Sequence, residues 1–416
     1  MALATGCDGL LLRRNVRAQI QNSDKHSINK MSFCSLAVYV RTAVVCLCLV
    51  SCLPISPTAQ TPPITVSVPI ASDTPFRAVT AVAMATPIIP TPSQIPLPQL
   101  RQVRTVPISG FAVAYSPDGS LVAGSSPENW LIIQVVDVAT GNILAKYSVP
   151  IPLNGLSGTY AMQFSLDGSL LAFGGAEKIV TLWRWRENKV VASLDFPDVV
   201  NVLRFSPDGS WLGYGGAGET GGLDFFDLTQ SKPKYLSPHF IPHDIVFWGD
   251  GSKLVIASDN RFGNHPPLVT IWDWDDCIRT DFSCEPQQRM FPAMDDTIGS
   301  DADVLSLSAD NQKLGVVIDG QLHLWDFSRQ SEIVWPETLT DTEILRAAIF
   351  DNHYVATLDT QGILALRAIE DGQLIASHQF TEAVTFAVST VNNQFVISER
   401  GFDAEIWEID NLVSAP

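Results

Sequence analysis

A chain of 416 residues, 46% apolar and 17% charged, can build a sizeable core in one large domain or in two or three average ones. Its formal net charge is −18, although the first 51 residues are basic, so the remainder is more acidic than the whole. An acidic surface repels phosphate backbones, and we therefore expect no nucleic acid among its partners.

The first candidate element is an apolar segment, residues 42–50 (TAVVCLCLV), which follows Arg41. A charged residue before a short apolar run is the order of a secretory signal, and nine residues are too few for a helix that spans a membrane. Residues 1–30 show no apolar pattern, and Met31 is an alternative first residue. We therefore expect residues 1–51 to contain an N-terminal extension and a signal peptide that is cleaved off.

The end of this segment resembles the lipobox of bacterial lipoproteins. Residues 49–51 (LVS) precede Cys52 as that motif requires, and prolines follow. The resemblance implies cleavage after Ser51 and attachment of a lipid to Cys52. The mature chain would then lie outside the cytoplasm, anchored to the cell membrane or the outer membrane. An uncleaved membrane helix over 32–51 and a conventional cut after Ala59 stay open as alternatives.

Residues 52–99 are predicted to form a disordered tether. Eleven of the 27 prolines lie between positions 52 and 98, among many serines and threonines. Proline lacks an amide donor, so this density prevents regular secondary structure. Such a segment reaches about 40 Å as a coil and about 150 Å as stretched polyproline II, which is enough to hold a domain clear of a membrane.

One sequence line recurs seven times after residue 100. YSPDGSLVAGSS, FSLDGSLLAFGG, FSPDGSWLGYGG and FWGDGSKLVIAS are the clearest copies, and LSADNQKLGVVI, IFDNHYVATL and TVNNQFVISE are fainter. Each copy contains a turn closed by glycine or asparagine, the residues that adopt positive φ most readily. The seven closing residues are Gly119, Gly168, Gly209, Gly251, Asn311, Asn352 and Asn393.

The spacing of these turns is typical of a β-propeller. Successive turns lie 41 or 42 residues apart, except for intervals of 49 and 60 residues. Short bursts of Val, Leu and Phe flank the turns, and four such strands fit one period. We therefore predict an all-β fold over residues 100–416, a seven-bladed propeller with four-stranded antiparallel blades.

In these turns and in its aromatic positions the chain resembles the WD-repeat family of β-propellers. About 15 residues after most turns comes an aromatic residue, at positions that include Trp183, Trp272, Trp325 and Trp407. Asp319 aligns with the family's hairpin aspartate before the third strand. Val136 and Arg367 stand where the family has tryptophan, and the Gly-His pair before each blade is missing, which departs from the family's hydrogen-bond network. A quinone-binding or TolB-like propeller is the alternative within the class.

The two ends of the propeller region are predicted to meet. The last blade stops at IWEID (406–410), so it lacks an outermost strand, and the segment LRQVRTVPI (100–108) precedes the first blade. We expect residues 100–108 to pair with residues 404–409, which would leave no long unpaired sheet edge between the first and last blades.

The 60-residue interval contains a predicted insertion at about 275–303. Its cysteines, Cys277 and Cys284, have six residues between them and are predicted to form a disulfide in an oxidising compartment, with two free thiols as the alternative. The same insertion carries four aspartates within nine residues, which we interpret as a solvated loop, with a calcium site as the alternative. They are Asp295, Asp296, Asp301 and Asp303.

No catalytic motif, cofactor fingerprint or metal-ligand spacing is found, so we predict no enzyme activity and no cofactor. The family resemblance implies a non-catalytic scaffold for protein–protein interaction, a monomeric propeller whose partners are other envelope or secreted proteins. The alternative is an enzyme or ligand-binding protein that uses the central channel through His, Asp or Arg. Trp130 and Trp248 are candidates for a binding surface, although packing between blades explains them equally well.

Overall fold

A computed structural model describes residues 98–150, 158–216, 222–236, 241–258, 269–290, 302–335, 342–350 and 352–410. The predicted signal peptide, Cys52 and all but the last residues of the tether lie outside these ranges, and the predictions about them stay predictions. Within the described residues, 28 strands form seven four-stranded antiparallel sheets. The predicted seven-bladed β-propeller is therefore confirmed.

The strands follow one another in chain order from β1 (Gln99–Val106). Blades 1 and 2 contain β2 (Ser109–Tyr115), β3 (Leu121–Ser125), β4 (Ile132–Asp137), β5 (Ile143–Ser148), β6 (Thr159–Phe164), β7 (Leu171–Gly175), β8 (Ile179–Arg184) and β9 (Lys189–Asp195). Blades 3 and 4 contain β10 (Val202–Phe205), β11 (Trp211–Gly215), β12 (Leu223–Asp227), β13 (Lys232–Leu236), β14 (Pro242–Phe247), β15 (Lys253–Ser258), β16 (Val269–Asp273) and β17 (Gln288–Met290).

Blades 5 and 6 contain β18 (Ala302–Leu307), β19 (Lys313–Ile318), β20 (Gln321–Asp326), β21 (Ser331–Ile333), β22 (Ile344–Phe350), β23 (Tyr354–Asp359), β24 (Ile363–Ala368) and β25 (Leu374–Gln379). Blade 7 consists of β26 (Ala383–Ser389), β27 (Gln394–Glu399), β28 (Ala404–Asp410) and, as its outermost strand, β1. One helix, α1 (Trp274–Arg279), and one 3-10 turn (Trp185–Glu187) interrupt the strands.

The seven repeated turns join the first and second strands of each blade, and all seven closing residues have positive φ, between 53° and 75°. A serine and an aspartate fix the turn in several blades. In blade 1, Ser116 Oγ donates to Asp118 Oδ1 (2.5 Å) and accepts the N–H of Leu121 (2.9 Å). The hydroxyl of Ser116 is the main reason why the pKa of Asp118 lies below its usual value. The repeated Ser-x-Asp-Gly line is thus explained by turn geometry.

The blades form a ring through their first strands. The first strand of each blade contacts the first strand of the next, and β26 contacts β2. Strand β1 pairs antiparallel with β28, with Gln99 opposite Asp410 and Val106 opposite Ala404, as predicted for these two segments. Between blades 7 and 1 the core is apolar, with the side chains of Val106, Val122, Val136 and Ile406 fully buried.

Part of the predicted insertion belongs to the propeller itself. Gln288–Met290 is the outermost strand of blade 4, and the first strand of blade 5 begins at Ala302, so the insertion is shorter than the predicted range of 275–303. The fourth strand was missed because three residues are too few to show an alternating pattern. What the structure describes of the insertion is the connection between β16 and β17, residues 274–287, which begins with α1.

The predicted disulfide between Cys277 and Cys284 is present, with an S–S distance of 2.00 Å. It closes the connection over a buried aromatic cluster. Trp274 and Phe282 are both buried, and their ring centres lie 4.7 Å and 5.3 Å from that of Phe225 in blade 3. The connection therefore completes the core between blades 3 and 4.

Candidate interaction surface

Adjacent strands of a blade run antiparallel, so its connections alternate between the two ends of the ring. We call one end the turn face: it carries the seven repeated turns and the disulfide-bonded connection. We call the other end the loop face: it carries the links between the second and third strands, such as 126–131 and 400–403. Gln99, the first residue of β1, pairs with Asp410 at the end of a third strand and therefore lies on the turn face. The last residue of β1, Val106, lies towards the loop face.

The tryptophans that suggested the repeat family are packing residues. Trp183, Trp272 and Trp407 lie on third strands and are buried, and Trp325 is partly buried between blades 4 and 5. Trp183 Nε1 donates to Asn188 Oδ1, Trp272 Nε1 to Thr270 Oγ1 and Trp407 Nε1 to Glu405 Oε2, at 3.1, 2.9 and 2.7 Å. Each of these three bonds stays within one strand or the turn that follows it.

The remaining predicted positions divide between the two faces. Asp319 has a φ of 49° in the turn that precedes the third strand of blade 5. Trp248 lies on the turn face, where its ring packs 5.5 Å from that of Phe327 and Lys253 Nζ lies 4.3 Å from its centre. Trp130 lies on the loop face and is 37% exposed. Of the two candidate tryptophans, Trp130 is therefore the one that offers a surface.

Trp130 belongs to an aromatic patch that sequence reasoning did not find. Its ring centre lies 6.4 Å from that of Phe111, which in turn lies 5.5 Å from that of Tyr160 in blade 2. The guanidinium carbon of Arg400 in blade 7 is 5.9 Å from the Trp130 ring centre. Trp, Tyr and Arg are the residue types that dominate binding energy at protein interfaces.

An irregular strand places Phe111 in this aromatic patch. Ser109 pairs with Ser125 and Ala114 pairs with Ala123, so β2 has four residues between these pairs where β3 has one. The four residues of β2 between these pairs include Gly110, whose φ of 110° lies in a region that favours glycine. Bulges of this kind bend a strand and redirect its side chains. The aromatic patch thus depends on a backbone feature that has no clear signal in the sequence.

Beside the aromatic patch, a cleft of about 710 Å³ opens between blades 7 and 1. We call it the seam cleft, because β1 and β28 join the two ends of the described chain in one of its walls. Among the residues that the structure describes, its lining includes four acidic side chains and one lysine, together with the aromatic ring of Phe402, which is 59% exposed. The charged residues are Glu128, Glu399, Asp403, Glu405 and Lys146.

Gln134 forms part of the seam cleft's lining and is only 2% exposed. Its Nε2 atom donates to the carbonyl oxygen of Pro107 at 3.0 Å. Its Oε1 atom, by contrast, accepts no hydrogen bond from the described residues. The carbonyl of Pro107 needs a donor, so the amide cannot reverse to relieve the unpaired acceptor. A buried acceptor without a donor is costly, and it identifies a place where a bound group could supply an N–H.

The inner strands carry polar side chains that link neighbouring blades. Arg204 in blade 3 forms an ion pair of 3.2 Å with Asp244 in blade 4, and Asp244 also accepts the N–H of Leu305 in blade 5 at 3.0 Å. Gln163 similarly accepts the N–H of Phe205 at 2.7 Å. These bonds explain the inner-strand Arg and Asp as connections between blades.

The predicted calcium ligands are not part of the described site. Asp295, Asp296 and Asp301 and the side chain of Asp303 lie outside the described residues, so the calcium alternative stays a prediction. Within the described ranges, no group of three or more His, Cys, Asp or Glu side chains could hold a metal ion. No helix in this part of the chain is long and apolar enough to cross a membrane.

Comparison with known proteins adds no family assignment. No protein-family model matches the chain, and no curated protein matches it significantly. The fold alone therefore defines its class, that of the seven-bladed β-propellers with four-stranded blades.

Proposed function

We propose that the protein is a non-catalytic scaffold for protein–protein interaction, held outside the cytoplasm by a lipid on Cys52. The observation that carries the proposal is the loop face, where Phe111, Trp130 and Tyr160 form an aromatic patch next to the seam cleft. A rigid ring that presents exposed aromatic and arginine side chains on its connections has the composition of an interface centre. Its partners are other envelope or secreted proteins, and the propeller itself acts as a monomer.

Two features support the extracytoplasmic location. The sequence LVSC at 49–52 follows an apolar run and precedes a proline-rich segment, as in lipoproteins. The bond between Cys277 and Cys284 belongs to a class of cross-link that persists in oxidising compartments. A tethered domain needs both an anchor and a spacer long enough to hold it away from the membrane, and residues 52–98 have the proline-, serine- and threonine-rich composition of such a spacer.

The WD-repeat relationship is part of the same proposal. The repeated turns, the tryptophans on third strands and Asp319 in the turn before a third strand are the features that support it. The blades of such propellers serve as frames for interaction surfaces rather than as sources of chemistry. Since a fold does not fix a function, the surface residues carry the argument here and the family supports it.

Metabolic labelling with an azido fatty acid tests the anchor. We expect the label in the native chain and in a Cys48→Ala control, whose changed cysteine lies within the cleaved signal, and no label in Cys52→Ala. The amino-terminal peptide of the native protein should begin at a Cys52 that carries the mass of the lipid. Label in Cys52→Ala, or an amino terminus at Gln60, would refute the lipoprotein anchor.

A further inference from the structure

The geometry points to a ligand class for the seam cleft: we propose that it binds an extended, cationic peptide segment of a partner protein. This inference rests on the proposed function as an interaction scaffold. Three features of the cleft between blades 7 and 1 indicate this occupant: its charge, the free edges of two strands and the acceptor of Gln134 that is unpaired among the described residues.

Charge sets the sign of the occupant. Four acidic residues and one lysine are among those that line the cleft, so its field is negative and attracts cations. Glu405 contributes least to this field, because its Oε2 atom accepts the Trp407 indole N–H at 2.7 Å and that ring packs against Phe380, next to blade 6. The nearby Arg400 stands over the Trp130 ring in the aromatic patch and is not part of the cleft's lining. A second copy of this acidic chain would bring like charges to the same place, which disfavours self-association there.

The strands beside the cleft favour an extended segment. β1 and β5 are the outermost strands of their sheets, so each has one backbone edge without a ladder partner among the described residues. Thr105, Ile143 and Lys146 from these two strands lie in the lining. β5 has six residues and is about 20 Å long, the length of a short extended peptide. Peptides recognised in this way combine main-chain hydrogen bonds with side-chain contacts.

Gln134 supplies a specific contact within the negative field. Its Oε1 atom has no donor within the described part of the chain, and its side chain is fixed through Nε2 by the carbonyl of Pro107. The Oε1 atom is covered in this structure, so a lysine ammonium or a peptide N–H binds it only with a local shift of the Gln134 side chain, and the new bond then removes the cost of an unpaired buried acceptor. Phe402, which is 59% exposed, offers an apolar contact at the same cleft. Together these groups fit a segment that alternates cationic and apolar side chains.

Fluorescence anisotropy with the full chain in a neutral detergent tests the proposal. The probe is a labelled ten-residue peptide of alternating lysine and alanine, compared with its glutamate counterpart and with a neutral glucose hexasaccharide. We expect saturable binding of the lysine peptide only, weakened as sodium chloride rises from 0.05 to 0.5 M. The double variant Glu128→Gln/Asp403→Asn should bind it about tenfold more weakly, since each exposed charge contact contributes a few-fold.

Matched variants separate the cleft from general acidity. Glu187→Gln/Glu285→Gln removes the same charge from the exposed turn face and should leave binding unchanged. Gln134→Met, which keeps the side-chain length but removes the acceptor together with the bond to the Pro107 carbonyl, should weaken binding about fivefold without altering its salt dependence. Circular dichroism and the melting temperature verify that each variant folds.

Four results would overturn the proposal: no saturable binding, equal binding of the glutamate peptide or the hexasaccharide, equal affinity of the cleft double variant, or equal affinity of Gln134→Met. The scaffold itself is judged separately, by cross-linking in membranes. Partners recovered equally by the native chain and by Glu128→Gln/Asp403→Asn would leave the scaffold intact while contradicting this use of the cleft. Recovery of no partner by the native chain would contradict the scaffold.

Discussion

Replacing Asp244 with asparagine is expected to loosen the ring at its inner strands. Asp244 lies on β14 and is 9% exposed. Its Oδ2 atom accepts the N–H of Leu305 (3.0 Å) and a hydrogen bond from Arg204 Nη2 (3.3 Å), and its Oδ1 atom accepts the N–H of Ile245 (2.8 Å). Both carboxylate oxygens accept hydrogen bonds from donors. The NH₂ group of an asparagine would replace one of these oxygens, so in either orientation of the amide it would face a donor and one hydrogen bond would be lost.

The magnitude follows from these contacts. Breaking a buried ion pair on one side costs about 3–5 kcal/mol, and a buried N–H left unpaired costs about 1–3 kcal/mol. The side chain of Arg204 is 33% exposed, so water takes over part of its lost interaction. We therefore expect Asp244→Asn to lower the free energy of unfolding by about 2–4 kcal/mol and the melting temperature by about 4–8 °C.

Urea unfolding of the full chain, followed by tryptophan fluorescence, measures this loss. Glu285→Gln, an exposed carboxylate on the turn face, serves as the control and should change the free energy of unfolding by less than about 0.5 kcal/mol. A double-mutant cycle with Arg204→Met separates the ion pair from the bond to Leu305. If Asp244→Asn proves as stable as the native chain, the inner-strand bonds do not hold neighbouring blades together and the reasoning fails.

Three further predictions concern single features of the fold. Burial raises the pKa of Asp224 to about 6 from 3.8, so its stabilising contribution is complete below pH 4 and falls as the pH rises towards 6. Asp224→Asn should therefore raise the free energy of unfolding by about 1–2 kcal/mol at pH 7.5, after allowance for partial exposure, and leave it unchanged at pH 3.5. An equal gain in the free energy of unfolding at both pH values would contradict this. Cys277→Ser/Cys284→Ser should lower it by about 2–3 kcal/mol, and reduction of the native chain with dithiothreitol should reproduce that loss in a melting experiment. Asn393, whose φ is 53°, should tolerate glycine but lose about 1 kcal/mol with alanine in urea unfolding, and equal stability of the two variants would contradict the turn assignment.

Much of the fold could be predicted because its signals are local. A turn that needs positive φ restricts the residue to glycine or asparagine, so Gly119 and Asn393 mark equivalent turns although their flanking sequences differ. The spacing then sets the number of blades, and the last repeat, which stops at IWEID (406–410), led to the predicted pairing of β1 with β28. The short strand β17 was not predicted, because three residues are too few to show an alternating apolar pattern. Helix α1 was not predicted either, because it lies in a connection that has no counterpart in the other repeats.

The candidate site could not be predicted, because distant segments assemble it. Phe111, Trp130 and Arg400 meet only after the ring closes, and the surplus of residues in β2 that places Phe111 appears only when β2 is paired with β3. The seam cleft likewise joins residues near position 130 to residues near position 400. Gln134 illustrates the limit most clearly: it occupies an ordinary strand position, and only the structure reveals its single donor bond and its unpaired acceptor. Trp130 was the one member of the patch that the sequence analysis had named, as a candidate surface tryptophan.

Cross-linking in intact envelopes tests the central claim, that this propeller is a tethered scaffold. The native chain and Cys52→Ala would be cross-linked at equal expression and their partners quantified by mass spectrometry. We predict that a specific protein partner is recovered in near-equal amount with the native chain and is reduced with Cys52→Ala. Absence of any partner above background with the native chain, or full recovery with Cys52→Ala, would contradict it.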